Sequence, residues 1–369
     1  YWNTTKDLLM KTAIPGITGF TSTYANVGQT SNKGIEIALQ GVLVKTRDWN
    51  VTAGFNINFN RGKVDKLADN VTGLYGTEWA TSSTFPKSDY VLKEGRPVGL
   101  VRGLTADGFY TTDDFTYENG VYTLKEGVAD VSSAVFPNYH LHNGMNERPA
   151  GQLAYPGMAK FKDLNDDGII NDDDVDVIGD MTPVHTGGFN INATYKNFDL
   201  GLYFNWSYGN EIYNVNKLAA LYGYKEGAVY ENKLSIVKDC YKIYDVVNGE
   251  LVALTTPEQL NAANANAKLP LAYSENGYVS TLGIEDGSYL RLNTLTLGYT
   301  LPKSMLQKAG ISNLRVYGSI YNVFTITGYS GIDAEVSTST STKTYPQLGM
   351  DWGTYPRARS FVLGVNLSF

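Results

Sequence analysis

Phe361, Leu363, Val365, Leu367 and Phe369 alternate strictly with Val362, Gly364, Asn366 and Ser368 at the end of the chain. Successive side chains of a strand point to opposite faces, so this segment has one wholly apolar face and one small or polar face. A soluble sheet can carry such a strand at one edge, whereas a wall that meets lipid on one side must repeat it in every strand. The pattern does repeat. Ile35, Ile37, Leu39 and Leu43 oppose Glu36 and Gln40, and a second run at 49–60 follows the polar turn 45–48. Phe189, Ile191, Ala193 and Tyr195 oppose Asn190, Asn192 and Thr194. After a tight turn at Asn197, Leu200, Leu202, Phe204, Trp206 and Tyr208 oppose Asp199, Gly201, Tyr203, Asn205 and Ser207, which predicts a hairpin. With 1–12, 288–300, 313–324 and 360–369, eight strands are expected.

Composition agrees with a barrel and not with a helical span. The mean hydropathy is −0.23, and no stretch approaches the roughly 20 uninterrupted apolar residues that a membrane helix needs. The chain's 27 Tyr and 38 Gly suit turns and a lipid–water interface, where a Tyr ring meets lipid and its hydroxyl meets water. A net charge of −7 argues against a nucleic-acid partner. Cys240 is alone, so no intrachain disulfide forms. The opening Tyr1 to Met10 lacks a signal-peptide pattern, and the chain is expected to be the carboxyl-terminal portion of a longer protein.

The connections fall into two kinds. Those at 45–48, 196–198 and 301–312 are short to moderate, those at 13–32, 61–185, 209–287 and 325–358 are long, and the kinds alternate. Short periplasmic turns opposite long extracellular loops are the asymmetry of an outer-membrane barrel. An extra hairpin around Tyr90 to Arg102 would disturb that parity if it joined the wall. The expected fold is therefore an all-β, antiparallel transmembrane β-barrel with long extracellular loops.

Particular residues carry a family resemblance. Asn26-Val-Gly28 with Asn32-Lys-Gly-Ile-Glu-Ile37, Gly95-Arg-Pro-Val-Gly99 leading to Asp107-Gly-Phe-Tyr110, and Lys162-Asp-Leu-Asn-Asp-Asp-Gly-Ile-Ile170 with Ile178-Gly179 appear in order. Tyr195-Lys-Asn-Phe-Asp-Leu200, Ser288-Tyr-Leu-Arg-Leu-Asn293 with Leu297-Gly-Tyr-Thr-Leu-Pro302, and Tyr321-Asn-Val-Phe324 with Tyr329-Ser-Gly-Ile-Asp333 follow. Together these resemble the carboxyl-terminal part of a SusC/RagA-type TonB-dependent outer-membrane transporter of Bacteroidetes. One departure is Ala334 in Ile332-Asp333-Ala334-Glu335, where the family usually has Pro. The resemblance implies that residues 1–369 supply the carboxyl-terminal strands of a barrel of about 22 strands. It also implies an amino-terminal plug and early strands outside this sequence, contact with TonB through that part, and a SusD-like surface lipoprotein as partner.

One motif is chemically sharp. Asp163, Asn165, Asp167, Asn171 and Asp174 place oxygen side chains at positions 1, 3, 5, 9 and 12 of a loop with Gly168 at 6 and the Ile169 carbonyl at 7. Hard oxygen donors at this spacing match an EF-hand-type Ca²⁺ loop, although Asp174 stands where a bidentate Glu is usual. Asp/Asn/Gly clusters are also ordinary turn chemistry, and in either case a structural clamp is expected.

Nothing points to catalysis. There is no nucleophile elbow, metalloprotease helix or phosphate-cradling glycine loop. His140 and His142 are expected to be solvated, and Asp113-Asp114 and Asp172 to Asp174 read as turns or ligands and not as a glycosidase pair. Arg291 is expected to face the lumen as a structural ion-pair partner. Tyr75, Trp79, Tyr110, Tyr139, Tyr222, Tyr224, Tyr230 and Trp352 could stack on sugar rings or pack the loops together. The expected activity is import of oligomeric nutrients, glycan-derived oligosaccharides foremost, across the bacterial outer membrane. A peptide importer of the same family is the alternative, with a barrel enzyme or an adhesion or structural barrel as more distant ones.

Overall fold

The computed structural model describes residues 1–13, 22–68, 71–81, 84–136, 148–222, 232, 234–272, 277–307, 310–338 and 347–369. Eight long strands build the wall. They are β1 (Trp2–Ala13), β2 (Ser22–Lys45), β3 (Trp49–Lys66), β4 (His185–Tyr195), β5 (Phe198–Tyr208), β6 (Tyr289–Thr300), β7 (Asn313–Thr327) and β8 (Ser360–Ser368). Each pairs antiparallel with its neighbours in chain order, giving one open eight-stranded sheet with β1 and β8 at its edges. Among the described residues β1 and β8 do not pair, so the sheet is an arc.

The register sorts the side chains into two faces. Directly opposed residues share a face, and β4 pairs Ile191 with both Ala53 and Leu202, while β7 pairs Val316 with Val365. One face is thus apolar from strand to strand, with Phe361, Leu363 and Val365 exposed on it. At the short-turn end of this face an aromatic row runs Trp49, Tyr195, Phe198, Tyr299, with ring centroids 4.4 Å apart in the first pair and 4.7 Å in the last. At the long-loop end Phe59, His185 and Tyr208 form a second row, with centroid separations of 5.5 and 5.0 Å. From Trp49 to Phe59 the strand rises about 33 Å at about 3.3 Å per residue. A strand tilt of about 40° reduces this to about 25 Å, the height of the apolar band in an outer-membrane barrel.

One expectation needs correction. The stretch 13–32 is not a long loop, because β2 begins at Ser22 and pairs with β1 from Ala13↔Ser22 to Trp2↔Lys33. The Asn- and Gly-rich sequence that reads as a turn has its backbone groups satisfied by ladder pairing instead. Only 14–21, outside the described residues, connects the two strands. The hairpin at Tyr90 to Arg102 does form, with Tyr90↔Val101 and Val91↔Leu100, but it belongs to a small four-stranded sheet above the wall. The wall's parity is therefore undisturbed.

The described parts of the long connections at 67–184, 209–288 and 328–359 fold together on the wall's long-loop end. Glu211–Asn214 pairs with Ile284–Asp286 on one side and Met350–Asp351 on the other, joining two of these segments in one sheet. Buried Tyr90, Tyr110, Tyr122, Tyr155, Tyr213 and Tyr278 form much of a common core. Where their hydroxyls are buried they need acceptors. Tyr90 donates to the Leu348 carbonyl at 2.8 Å, Tyr110 to that of Ala129 at 2.6 Å and Tyr122 to that of Thr255 at 3.0 Å. The short helices α1 (Val215–Tyr222) and α2 (Pro257–Asn264) lie in the same cap.

Candidate functional site in the lumen and loop cap

The second face of the wall is lined with amides and hydroxyls. Asn56, Asn58, Asn190, Asn192 and Asn205 lie on it, opposite in parity to the apolar rows. Tyr203 donates to Asn192 at 3.0 Å, Asn192 to Asn190 at 3.2 Å, and Asn293 to Asn205 at 2.6 Å. Near the short-turn end of this surface Asp199 and Arg315 form an ion pair, with Nε donating at 2.9 Å. The lumen therefore offers mostly neutral donors and acceptors.

Near the long-loop end of this face, Arg291 is held where the sequence placed it. It is 2% exposed and donates through Nε to Thr325 at 3.0 Å. Its guanidinium also binds Asp333 and, at 3.2 Å, Glu335. Arg357 closes the set, 3.3 Å from Asp333 and 3.0 Å from Glu335, so two cations face two carboxylates. Burying charge without such pairing would be strongly unfavourable. The partners were not identified from sequence, although the Ile332-Asp333-Ala334-Glu335 motif that holds two of them was noticed. This knot pins the 328–338 segment of the cap to β6 and is structural, as expected for Arg291.

Further into the cap, Asp89 is fully buried and accepts from the backbone N–H of Glu78 and Trp79 at 2.8 Å and of Ala80 at 3.0 Å. Burial raises its carboxyl above the ordinary value, against the pull of those donors. Glu285 shows the opposite balance. Burial pushes it up, but Ser330, through backbone and hydroxyl both at 2.9 Å, and Lys217 at 3.2 Å bring it below its usual range.

The acidic loop folds as a tight turn, with Asp166 at φ 59° and Gly168 at φ 84°. Asp163 accepts from the N–H of Gly168 at 2.7 Å, Asp167 from that of Ile169 at 2.9 Å and Asn171 from that of Asp173 at 2.7 Å. Asp174 is buried and accepts from Leu164 at 2.7 Å and Asn171 at 2.8 Å, tying the loop's ends together. Asn165 donates to Asp167 at 3.0 Å, and Asn171 to the Ile169 carbonyl at 3.2 Å. Ile170, next in the chain, is anchored in the cap core. Six oxygen-bearing groups are thus gathered in one loop, and a carboxylate holding one or two N–H donors keeps acceptor capacity. The donor set fits the chemistry of Ca²⁺. Among the described residues, however, no group of three acidic, His or Cys side chains is drawn together closely enough to hold a metal ion.

Other candidates disperse. Tyr110 is core, Trp79 packs edge-on against Tyr213 at 6.5 Å, and Tyr75 lies under the Arg102 guanidinium at 4.8 Å. Trp352 is half exposed. Tyr139, Tyr224, Tyr230, His140 and His142 lie outside the described residues, as does the side chain of Tyr222. His185 belongs to the outward aromatic row and accepts from Trp206 Nε1 at 3.1 Å. Asp114 caps its own turn through the Thr111 N–H and pairs with Lys160, both at 2.7 Å, which is turn chemistry and not a catalytic pair.

The fold and its two faces define a segment of transmembrane β-barrel wall with an ordered loop cap. No family model matches the chain. It is 30% identical to TonB-dependent receptor P3 of Formosa agariphila over 370 residues, covering 99% of this chain and 31% of that protein. It is 26% identical to TonB-dependent receptor SusC of Bacteroides thetaiotaomicron over 377 residues, covering 100% of this chain and 29% of that one. A solved structure of the RagAB peptide transporter matches its fold with a TM-score of 0.66 at 23% identity, covering 100% of this chain and 32% of that one. The chain spans about a third of the length of the curated relatives it matches. Over its whole length it is similar to a SusC-like stretch of TonB-dependent receptor, and its wall is that of an outer-membrane barrel.

Proposed function

We propose that these residues form the carboxyl-terminal barrel wall and cap of a transporter that imports oligomeric nutrients, with glycan-derived oligosaccharide as the substrate class. The likeness to SusC and the other TonB-dependent receptors supports import driven through TonB, whose contact would lie in the plug and early strands outside this sequence. The lumen carries the choice of substrate class. A surface of Asn amides and Tyr hydroxyls matches the neutral, two-sided hydrogen bonding of sugar hydroxyls better than it matches charged ligands. The likeness in fold to the RagAB peptide transporter favours peptide as the second reading. A SusD-like lipoprotein would seat on the loop cap, whose ordered core gives it a defined surface.

Deleting the gene is expected to abolish growth on one polymeric glycan while leaving growth on its monosaccharide intact. Growth lost on peptides and kept on every polysaccharide tested would transfer the assignment to peptide import.

The acidic loop is proposed to hold one structural Ca²⁺ through Asp163, Asn165, Asp167, the Ile169 carbonyl, Asn171 and Asp174, on an extracellular loop. Support comes from the all-oxygen donor set and its spacing. Titration calorimetry of the purified protein should show one Ca²⁺ per chain. Asp167→Ala should remove that heat and speed proteolysis of the loop without unfolding the barrel. No Ca²⁺ heat in the unaltered protein would leave only an Asx-rich turn.

A further inference from the structure

On the outward face the residues change character abruptly above the Phe59 and His185 row. In β2 the outward series Leu39, Ile37, Ile35 continues as Lys33 and Ser31. In β3 the series Phe55, Ile57, Phe59 continues as Arg61 and Lys63, with Phe59 opposite Ile35, Arg61 opposite Lys33 and Lys63 opposite Ser31. Trp2 of β1 lies opposite Lys33 and is among the most exposed large apolar side chains, at 78%. Three cations and an exposed Trp therefore stand on the lipid side of the wall, one to two residue pairs beyond the apolar band. In a barrel oriented with its long loops outward, this is the headgroup level of the outer leaflet.

These residues line an open pocket. A pocket of about 620 Å³ is lined by Trp2, Lys33, Arg61 and Lys63, with Gly95 and Pro97 of the cap also at its wall. Backbone hydrogen bonds from Gly95 to Val64 at 2.7 Å and from Val64 to Arg96 at 2.9 Å fix that cap segment against β3. Arg61 is positioned through one nitrogen, Nη1, which donates to the carbonyls of Asn60, Pro183 and Val184 at 2.9, 3.2 and 2.8 Å. Its remaining N–H groups have no carboxylate partner among the described residues, and neither has Lys33. Asp65 is the one acid lining the pocket. Lys63 pairs with it at 3.1 Å, and it also accepts from Ser31 at 2.9 Å. The pocket keeps a net positive charge on a chain whose net charge is −7.

We infer that Lys33, Arg61 and Lys63 bind the phosphate of an outer-leaflet lipid, with Trp2 packed at the junction of its headgroup and acyl chains. A fixed guanidinium beside two ammonium groups suits a phosphate oxygen cluster. The apolar rows directly below would receive the chains. The inference goes beyond nutrient import and rests only on the barrel's orientation in the membrane.

Native mass spectrometry of the intact receptor in detergent tests it, using phosphatidic acid and diacylglycerol of matched chains as probes. Phosphatidic acid should be retained and diacylglycerol not. Lys33→Ala and Arg61→Ala should each weaken retention about fivefold, since one interfacial cation is worth about 1 kcal/mol. Lys45→Ala, at the other end of the wall, should leave it unchanged. Lys33 is exposed and unpartnered, so its replacement leaves the fold intact. Equal retention of diacylglycerol, full retention by the Lys33→Ala variant, or an equal loss with Lys45→Ala would overturn the proposal. Complete displacement of phosphatidic acid by inorganic phosphate would reassign the pocket to a soluble anion and overturn the lipid source.

Discussion

Replacing Arg291 with methionine is expected to lower the unfolding free energy by about 3–5 kcal/mol, because it takes from the buried Asp333 carboxylate the one buried cation that pairs with it. Asp333 is 8% exposed, and its other cation, Arg357, is half exposed. A half-exposed arginine cannot replace a buried one that also bonds Thr325. Removing both charges together, as Arg291→Met with Asp333→Leu, should destabilise much less, since a buried ion pair contributes little beyond an apolar pair of similar volume. Urea unfolding in lipid vesicles, followed by Trp fluorescence, measures both variants. A single-variant loss below about 1 kcal/mol would mean that the knot is not buried in the membrane-inserted protein. The same variant should free the 328–338 segment to protease before the barrel unfolds.

A second large effect is expected from parity alone. Ile191→Arg should destabilise the inserted barrel by about 2–4 kcal/mol, because position 191 lies midway between the two aromatic rows on the lipid face. Asn192→Arg, one residue on, should change stability by less than about 1 kcal/mol, since its side chain faces a lumen already lined with amides. The same vesicle unfolding assay measures both, and equal losses at the two positions would remove the assignment of faces.

What sequence made legible followed from periodicity. The alternation at 189–195, 199–208 and 361–369 gave the strands, their faces and their antiparallel neighbours, because a bilayer demands the same period in each. Above the apolar band that demand ends, and there the reading failed. The upper part of β2 pairs in full while its sequence is Asn- and Gly-rich, so only the ladder reveals it as strand. The loop cap was hidden for a different reason. Its core joins Tyr90, Tyr213 and Tyr278 from segments far apart in sequence, with no local period to announce them. Arg291 was legible as a lumenal ion-pair partner from its place in a strand. Its acids lie 42 and 44 residues away, a distance that charge pattern alone does not bridge. The acidic loop was legible as Asx-rich turn chemistry, and its side chains do accept from the loop's own backbone N–H groups.

One face of this sheet meets lipid and the other a polar lumen. Single cysteines placed in turn at positions 189 to 193 of β4, each carrying a fluorophore, test it directly. Burial first, with Asp239 adding to it, raises the native Cys240 thiol to about 11, so it reacts poorly at neutral pH and can be replaced by alanine as background. In vesicles, labels at 189, 191 and 193 should be quenched by a lipid-phase quencher, and those at 190 and 192 by an aqueous one. Quenching that does not alternate with residue parity would contradict the account.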